Sequence, residues 1–373
     1  MGTTAFTIDE LTIPSEISGP GWDDFAAAVE VRNRVEAHAY GTAVLNQTAE
    51  ELWPAWLTPE HSPRRLFVAR VGGAIVGRGV YETLADPESE FAWFTVEVLP
   101  QHRTRGIGGA LTARLDGLAD AAGRSIRIVY AMSPEGPGPR LAPPTGFGSV
   151  PADNPEVRFL LRHGYTLEQV ERGSALALPV DPHLLNRHLD HAQARAGGDY
   201  AVLTWIGRTP ERWLDDLARL YTRMSTDAPS AGLEEPEDVW TVERLRSEQD
   251  AAAAGPRATL VAAALHRPSG RLAGFTELSV PADPRRAVEQ EDTLVLREHR
   301  GHRLGMLLKA ANLRQLALTH PEQTMVTTFN AEENRFMLDV NEALGFTPMG
   351  YEGAWRKVSA AADSAGSSAR TGS

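Results

Sequence analysis

Hydrophobic positions along the chain follow two periods. In 64–71 (RRLFVARV), 74–84 (AIVGRGVYETL) and 90–99 (EFAWFTVEVL), short runs rich in Val, Phe and Tyr are cut by Gly and Pro, the mark of successive strands. From 108 to 122 the spacing changes: Leu111, Leu115 and Leu118 fall on one face of a helix. A strand at 126–132, a helix at 155–164 and a strand at 174–180 complete the first half. The second half repeats this order. Strands are expected at 199–207, 258–266, 271–280, 291–297 and 324–329, with helices at 210–224, 304–318 and 334–345. The pattern predicts an α+β protein of two similar domains, each a mixed, largely antiparallel sheet flanked by helices. The expected boundaries are 1–180 for the first domain, 181–198 for a linker helix ending at Gly197–Gly198, and 199–358 for the second. The small, polar stretch 359–373 is expected to be a disordered tail.

The repeat carries a chemical marker. Val98-Leu99, followed by Arg103, recurs as Val295-Leu296 followed by Arg300, each 197 positions on. Each half also ends its last helix on Gly-aromatic, Gly164-Tyr165 and Gly345-Phe346, and only the first half carries the Pro/Gly-rich stretch 134–155. In both copies a strand ends, an Arg/Gly loop follows, and a helix begins at once. Such a loop turns several backbone N–H groups one way, and the new helix adds unpaired amides and a positive dipole end, which suits a pyrophosphate. It is not a Walker loop, because no Gly-Lys-Ser/Thr follows. It is not a dinucleotide fingerprint, because Leu111 stands where the third Gly belongs.

The motif Arg103-x-x-Gly106-x-Gly108 resembles motif A of the GCN5-related N-acetyltransferases (GNAT). The second copy, Arg300-Gly301-His302-Arg303-Leu304-Gly305, has Arg303 where the middle Gly is common. Asn334-x-x-Met337 through Leu344-Gly345-Phe346 resembles motif B. The resemblance spans residues 5–358 as a tandem, a plan shared with mycothiol synthase and with actinobacterial tandem acetyltransferases. It implies acetyl-CoA as acyl donor. The implied donor-binding residues are Val98, Arg103, Thr104, Arg105, Gly106, Ile107, Gly108, Gly109 and Ala110 in the first half. In the second they are Val295, Leu296, Arg300, Gly301, His302, Arg303, Leu304, Gly305, Met306 and Asn334. A backbone amide of Val295 or Leu296 would hold the thioester carbonyl. Many relatives place a Tyr four residues before the Gly of Gly-Phe to protonate the leaving thiolate. Here those positions are Leu160 and Asn341, so that role passes to water or is dispensed with. The second half is expected to be the active one and the first degenerate or weakly active.

Direct attack by an amine needs a base. Glu277, Glu291 and Asp292 are the candidates in the second half, with Glu82, Glu90 and Glu97 in comparable places in the first. The loop 227–240 contributes Asp227, Glu234, Glu235 and Trp240 as acceptor-binding candidates. Its carboxylates would draw a cationic amine, a small metabolite or antibiotic-like compound. His183, His188 and His191 on the linker helix read as structural, and no metal site is expected.

Composition narrows the alternatives. The 373 residues contain no Cys, which excludes disulfides, zinc ribbons and a cysteine nucleophile. A net charge of −12 argues against nucleic acid as a partner. No run reaches the roughly 18 apolar residues of a membrane span, and the start lacks a leader pattern, so a cytoplasmic monomer or homodimer is expected. Two rival readings stand beside the small-amine N-acetyltransferase: mycothiol-synthase-like acetylation of a thiol-bearing precursor amine, and a non-catalytic CoA- or ligand-binding regulator.

Overall fold

The computed structural model describes residues 5–58, 60–227 and 229–359. The expected tail therefore lies outside the described residues, apart from its first position. In chain order the first half runs β1 (Thr7–Leu11), α1 (Trp22–Tyr40), α2 (Ala49–Leu52), β2 (Arg64–Val71), β3 (Ala74–Glu82), β4 (Phe91–Val98), α3 (Ile107–Ala121), β5 (Ile126–Ser133), β6 (Arg140–Leu141), β7 (Val150–Pro151), α4 (Pro155–Arg162) and β8 (Thr166–Ala177). There follow α5 (Pro182–Ala196), β9 (Tyr200–Ile206), α6 (Leu214–Asp227), α7 (Val242–Ala254), β10 (Ala258–His266), β11 (Arg271–Val280), β12 (Val288–Val295), α8 (Leu304–Thr319), β13 (Met325–Ala331), α9 (Arg335–Leu344) and β14 (Thr347–Val358). The Pro/Gly-rich stretch becomes the small β6–β7 ribbon.

Two compact units result: 1–170 with 230–235 and the segment from 351 onward, and 171–229 with 236–350. They do not follow the contiguous boundaries expected above. In the first unit the strand order is β1-β2-β3-β4-β5 and then Tyr351–Val358 of β14, antiparallel to β5 from Tyr351↔Ser133 to Val358↔Ile126. In the second it is Glu171–Ala177 of β8, then β13-β12-β11-β10-β9. Each half's last strand has gone to the other half's sheet. The expected linker helix, α5, is a core element of the second unit. Its Leu185, Leu189, Ala192 and Ala196 are buried in one cluster with Leu304, Leu307 and Leu308 of α8.

Among the described residues, each unit has a short parallel pair. β4 pairs with β5 from Phe91↔Ile126 to Trp93↔Ile128, and β12 pairs with β13 at Val288↔Val326 and Glu289↔Thr327. Beyond those residues the strands part. A helix crosses one face close to the parting: α3 seats Ile107, Leu111 and Leu115, all at most 1% exposed, on β3 and β4. Glycine permits this approach. A Cβ at Gly77 of β3 would stand 3.3 Å from Ile107 Cγ2, and one at Gly79 would stand 3.3 Å from Leu111 Cδ2. Among the described residues no helix is long and apolar enough to cross a membrane.

Candidate active site

The two loops share one architecture. In the first unit Thr104 and Gly106 have φ of 61° and 86°; in the second, Gly301 and Arg303 have 87° and 57°. These are the same two positions, 197 residues apart, with the glycine at the second of them in one copy and at the first in the other. The residue that is not glycine bears left-handed strain, and for β-branched Thr104 the conformation is a clear outlier. Neither helix that follows has a side-chain cap. The first intrahelical amides to bond are those of Ala110, to Gly106 O, and Leu307, to Arg303 O. The N–H groups of Ile107, Gly108 and Gly109, and of Leu304, Gly305 and Met306, therefore lie ahead of the first helical bond, as an anion cradle requires.

The motif arginines brace the loop. Arg103 Nε donates to Val98 O and Arg300 Nε to Val295 O, each at 3.1 Å. Arg300 also reaches Asp227 at 3.4 Å. The Asp227 side chain is 1% exposed and is held by Arg223 at 2.9 Å and Arg297 at 3.2 Å as well, so it anchors the loop's arginines and is not free to meet an acceptor. Leu296 N–H is bonded to Ala273 O, as Leu99 N–H is to Val76 O. Alternation in an antiparallel pair then turns the Val295 N–H away from β11, toward the parting with β13. His302 packs beside Tyr200 at 5.1 Å, and Arg303 reaches His191 on α5 at 3.2 Å. Asn334 caps α9 by accepting from Met337 N–H at 3.3 Å.

The two units differ at the strand before the loop. β3 and β4 pair without interruption from Gly77↔Val98 to Glu82↔Trp93. In the second unit the register shifts between Thr276↔Thr293 and Leu278↔Gln290, leaving Glu277 opposite two residues, Glu291 and Asp292. This is a β-bulge, which redirects side chains. The Gln290 side-chain amide pins it by donating to Glu277 O at 2.6 Å and to Thr276 Oγ1 at 2.9 Å. The three candidate bases thus come together.

Glu277 is 7% exposed and accepts a hydrogen bond from the Tyr221 hydroxyl of α6. Burial, with Asp292 alongside, raises its carboxyl to about 7 even though Tyr221 favours the charged form. Burial also raises Asp292 to about 6. Glu291 remains open to solvent, yet the crowding protein and the Glu289 and Asp292 charges raise it too. Tyr221 stacks on Trp240 at 4.5 Å, and the Arg244 guanidinium lies 4.0 Å over that indole, so Trp240 is joined to the acidic cluster through Tyr221. The matching positions of the first unit are Val80, Phe94 and Thr95.

The remaining candidates lie elsewhere. Glu234 and Glu235 belong to the segment that packs in the first unit: Glu234 pairs with Arg356 at 3.0 Å and Glu235 accepts from Trp93 Nε1 at 2.8 Å. Glu82 pairs with Arg64 at 2.9 Å, Glu90 accepts from Ser125 at 2.9 Å, and Glu97 is buried against Arg78. Asn341, 1% exposed, accepts from the Lys309 ammonium at 2.8 Å and donates to Asn330 at 2.7 Å. Lys309 and Tyr221 were not singled out in the sequence, where each reads as one more residue of an amphipathic helix. Among the described residues no three His, Asp or Glu groups are placed to hold a metal ion.

Comparison with known proteins bears on the fold. Residues 32–133 match the model of the acetyltransferase (GNAT) family. A tandem GNAT protein from the clavulanic acid biosynthesis pathway, solved without acetyl-CoA, is 24% identical with a TM-score of 0.69, over 95% of this chain and 98% of that one. A GCN5-related N-acetyltransferase from Sphaerobacter thermophilus gives 0.59 at 14% identity, over 95% of each chain. No curated protein matches the sequence. The tandem GNAT fold is thereby shared along almost the whole chain, and with the family match it supports an acyltransferase.

Proposed function

We propose that the chain transfers the acetyl group of acetyl-CoA to the amine of a small molecule, and that the recess of the second unit is one place where it does so. The observation that carries this reading is the bulge at Glu291–Asp292. It sets Glu277 and Asp292, both with raised pKa values, beside a parted strand pair that leads to an uncapped helix and an outward-turned Val295 amide.

The donor would supply an activated thioester. The loop amides of Leu304, Gly305 and Met306 suit its pyrophosphate, and the Val295 N–H suits its carbonyl oxygen. Glu277 would take the proton that the acceptor nitrogen loses. A carboxyl near 7 is about half ionised at neutral pH and is a stronger base than an ordinary glutamate. Tyr221 orients it, and Trp240 with the acidic cluster favours a cationic acceptor. The electrostatic draw comes from Asp292 and the ionised share of Glu277 rather than from Asp227, which is already paired.

The test is release of free CoA thiol from acetyl-CoA with a panel of amines, which the absence of Cys leaves free of protein background. Glu277→Gln should lower kcat roughly a hundredfold or more, the usual scale for a general base, with acetyl-CoA KM little changed. Thiol release from no amine at all would refute the function. Turnover within threefold of wild type in Glu277→Gln would refute the base.

A further inference from the structure

The first unit also brings carboxylates from widely separated parts of the chain to one face of its sheet. Glu352 lies on β14 opposite Met132, beyond the last β4–β5 pair at Trp93↔Ile128 and therefore beside the parted strands. Its carboxylate accepts from the Tyr40 hydroxyl at the end of α1, at 2.5 Å. Residues paired across antiparallel strands share a face, so Glu352 and Met132 lie on the same side as Ala354 and Tyr130. Glu235 confirms that side as an occupied surface, because it accepts from Trp93 Nε1 at 2.8 Å and from the Tyr130 hydroxyl at 3.3 Å. Leu233, fully buried against Phe91, Ile126, Ile128 and Ala354, fastens the segment that carries it. Two hydrogen-bonded groups, Tyr40 with Glu352 and both Trp93 and Tyr130 with Glu235, thus lie on this face, and the cradle of Gly106–Gly109 follows the C-terminal end of β4.

Of the first unit's carboxylates, Glu82 and Glu97 are tied to arginines and Glu90 to Ser125. Glu352 is only partly exposed. Burial raises its carboxyl, while Tyr40 and Arg32 oppose that shift. The matched strand positions, Val80, Phe94 and Thr95, carry no carboxylate, whereas β14 brings Glu352 opposite Met132.

We propose that the first unit is a second acetyl-transfer site whose proton acceptor is Glu352, lent by the last strand and held by Tyr40. This rests on the acetyl-transfer reading given above. The acceptor nitrogen forms a bond to the thioester carbon while the carbon–sulfur bond breaks. Glu352 takes the proton that nitrogen loses, and the departing sulfur takes up a proton in turn, so that an amine and a thioester become an amide and a free thiol. Glu235 and the rings of Trp93 and Tyr130 give this face an affinity for cationic or aromatic amines that differs from that of the other unit.

The experiment uses the full chain. Calorimetric titration with acetyl-CoA should give two sites per chain. Across a panel of alkyl diamines, amino sugars, amino acids and arylamines, Glu352→Gln should lower kcat at least tenfold for one set of acceptors, with acetyl-CoA KM within twofold. The acceptors most affected by Glu277→Gln should form a different set. Tyr40→Phe keeps the carboxylate, and for the Glu352-dependent acceptors it should move the rising limb of the pH–rate curve to higher pH. A single acetyl-CoA per chain, or rates within twofold of wild type for every acceptor in Glu352→Gln, would overturn the inference and leave the second unit's function standing. No thiol release by the wild-type chain with any amine would overturn both.

Discussion

Removing one hydroxyl should change the pH at which the second unit works without changing how fast it can work. Tyr221 donates to Glu277, and that bond favours the charged carboxylate against the burial that raises it to about 7. A hydrogen bond to a charged group contributes roughly 1.5–3 kcal/mol, which is about one to two pKa units. In Tyr221→Phe the carboxyl should therefore titrate about one to two units higher. Wild-type Glu277 is about half ionised at pH 7. The variant would be ionised to between about a tenth and a hundredth, so the rate there should fall roughly five- to fiftyfold. By about pH 9.5 most of it should return. The assay is kcat for thiol release between pH 5.5 and 9.5, using an arylamine whose own ionisation lies below the range. An unmoved limb, or a lower plateau with the limb in place, would show that Tyr221 does not set the ionisation of the base.

Three further outcomes test the surroundings. Lys309, 1% exposed, has its ammonium lowered to about 7 by burial. Between about 7 and 10.5 the unfolded chain holds a proton that the folded chain lacks, so wild-type stability rises with pH there by about 1.4 kcal/mol per unit. Denaturant unfolding of Lys309→Met should lack that slope, and its stability relative to wild type should drop by about 2–3 kcal/mol between pH 7 and 9; a constant difference would count against a displaced lysine. Asp227→Asn should weaken acetyl-CoA binding about five- to fiftyfold, because three arginines lose a shared buried anchor; unchanged calorimetric affinity would refute the bracing role. Arg300→Lys should bind acetyl-CoA about as weakly as Arg300→Ala, since a lysine cannot span Val295 O and Asp227 together; rescue by lysine would show that charge alone suffices.

Much of this was legible in the chain itself. The alternation of Val, Phe and Tyr marks the strands, and the recurrence of Val-Leu and Arg 197 positions apart marks the duplicated loop at the end of its strand. The partners were less visible. The run 174–180 reads as the first half's own final strand, and a hydrophobic pattern says that a strand is buried without saying beside which neighbour. A bulge adds one residue to a ladder and leaves no mark in composition, so Glu291 and Asp292 appeared merely adjacent when they jointly face Glu277. Asp227 belongs to an acidic run that looks solvated, and only the three-dimensional convergence of Arg223, Arg297 and Arg300 explains its burial. Glu352 was hidden for the same reason as its strand: the residues it meets, Tyr40 and Met132, are more than 200 positions away.

That separation has a consequence in time. β5 ends at Ser133, and the strand that covers its free edge is complete only at Val358. At synthesis rates of about 5–20 residues per second, the ribosome takes on the order of 10–45 s to make the intervening chain. Throughout that interval the nascent first unit presents β5 as an open, apolar edge, the feature that most readily recruits strands from other molecules. A chain that stops before Tyr351 would leave the edge open permanently. Until Tyr351–Val358 has been made, the first unit has neither the strand that pairs with β5 nor Glu352.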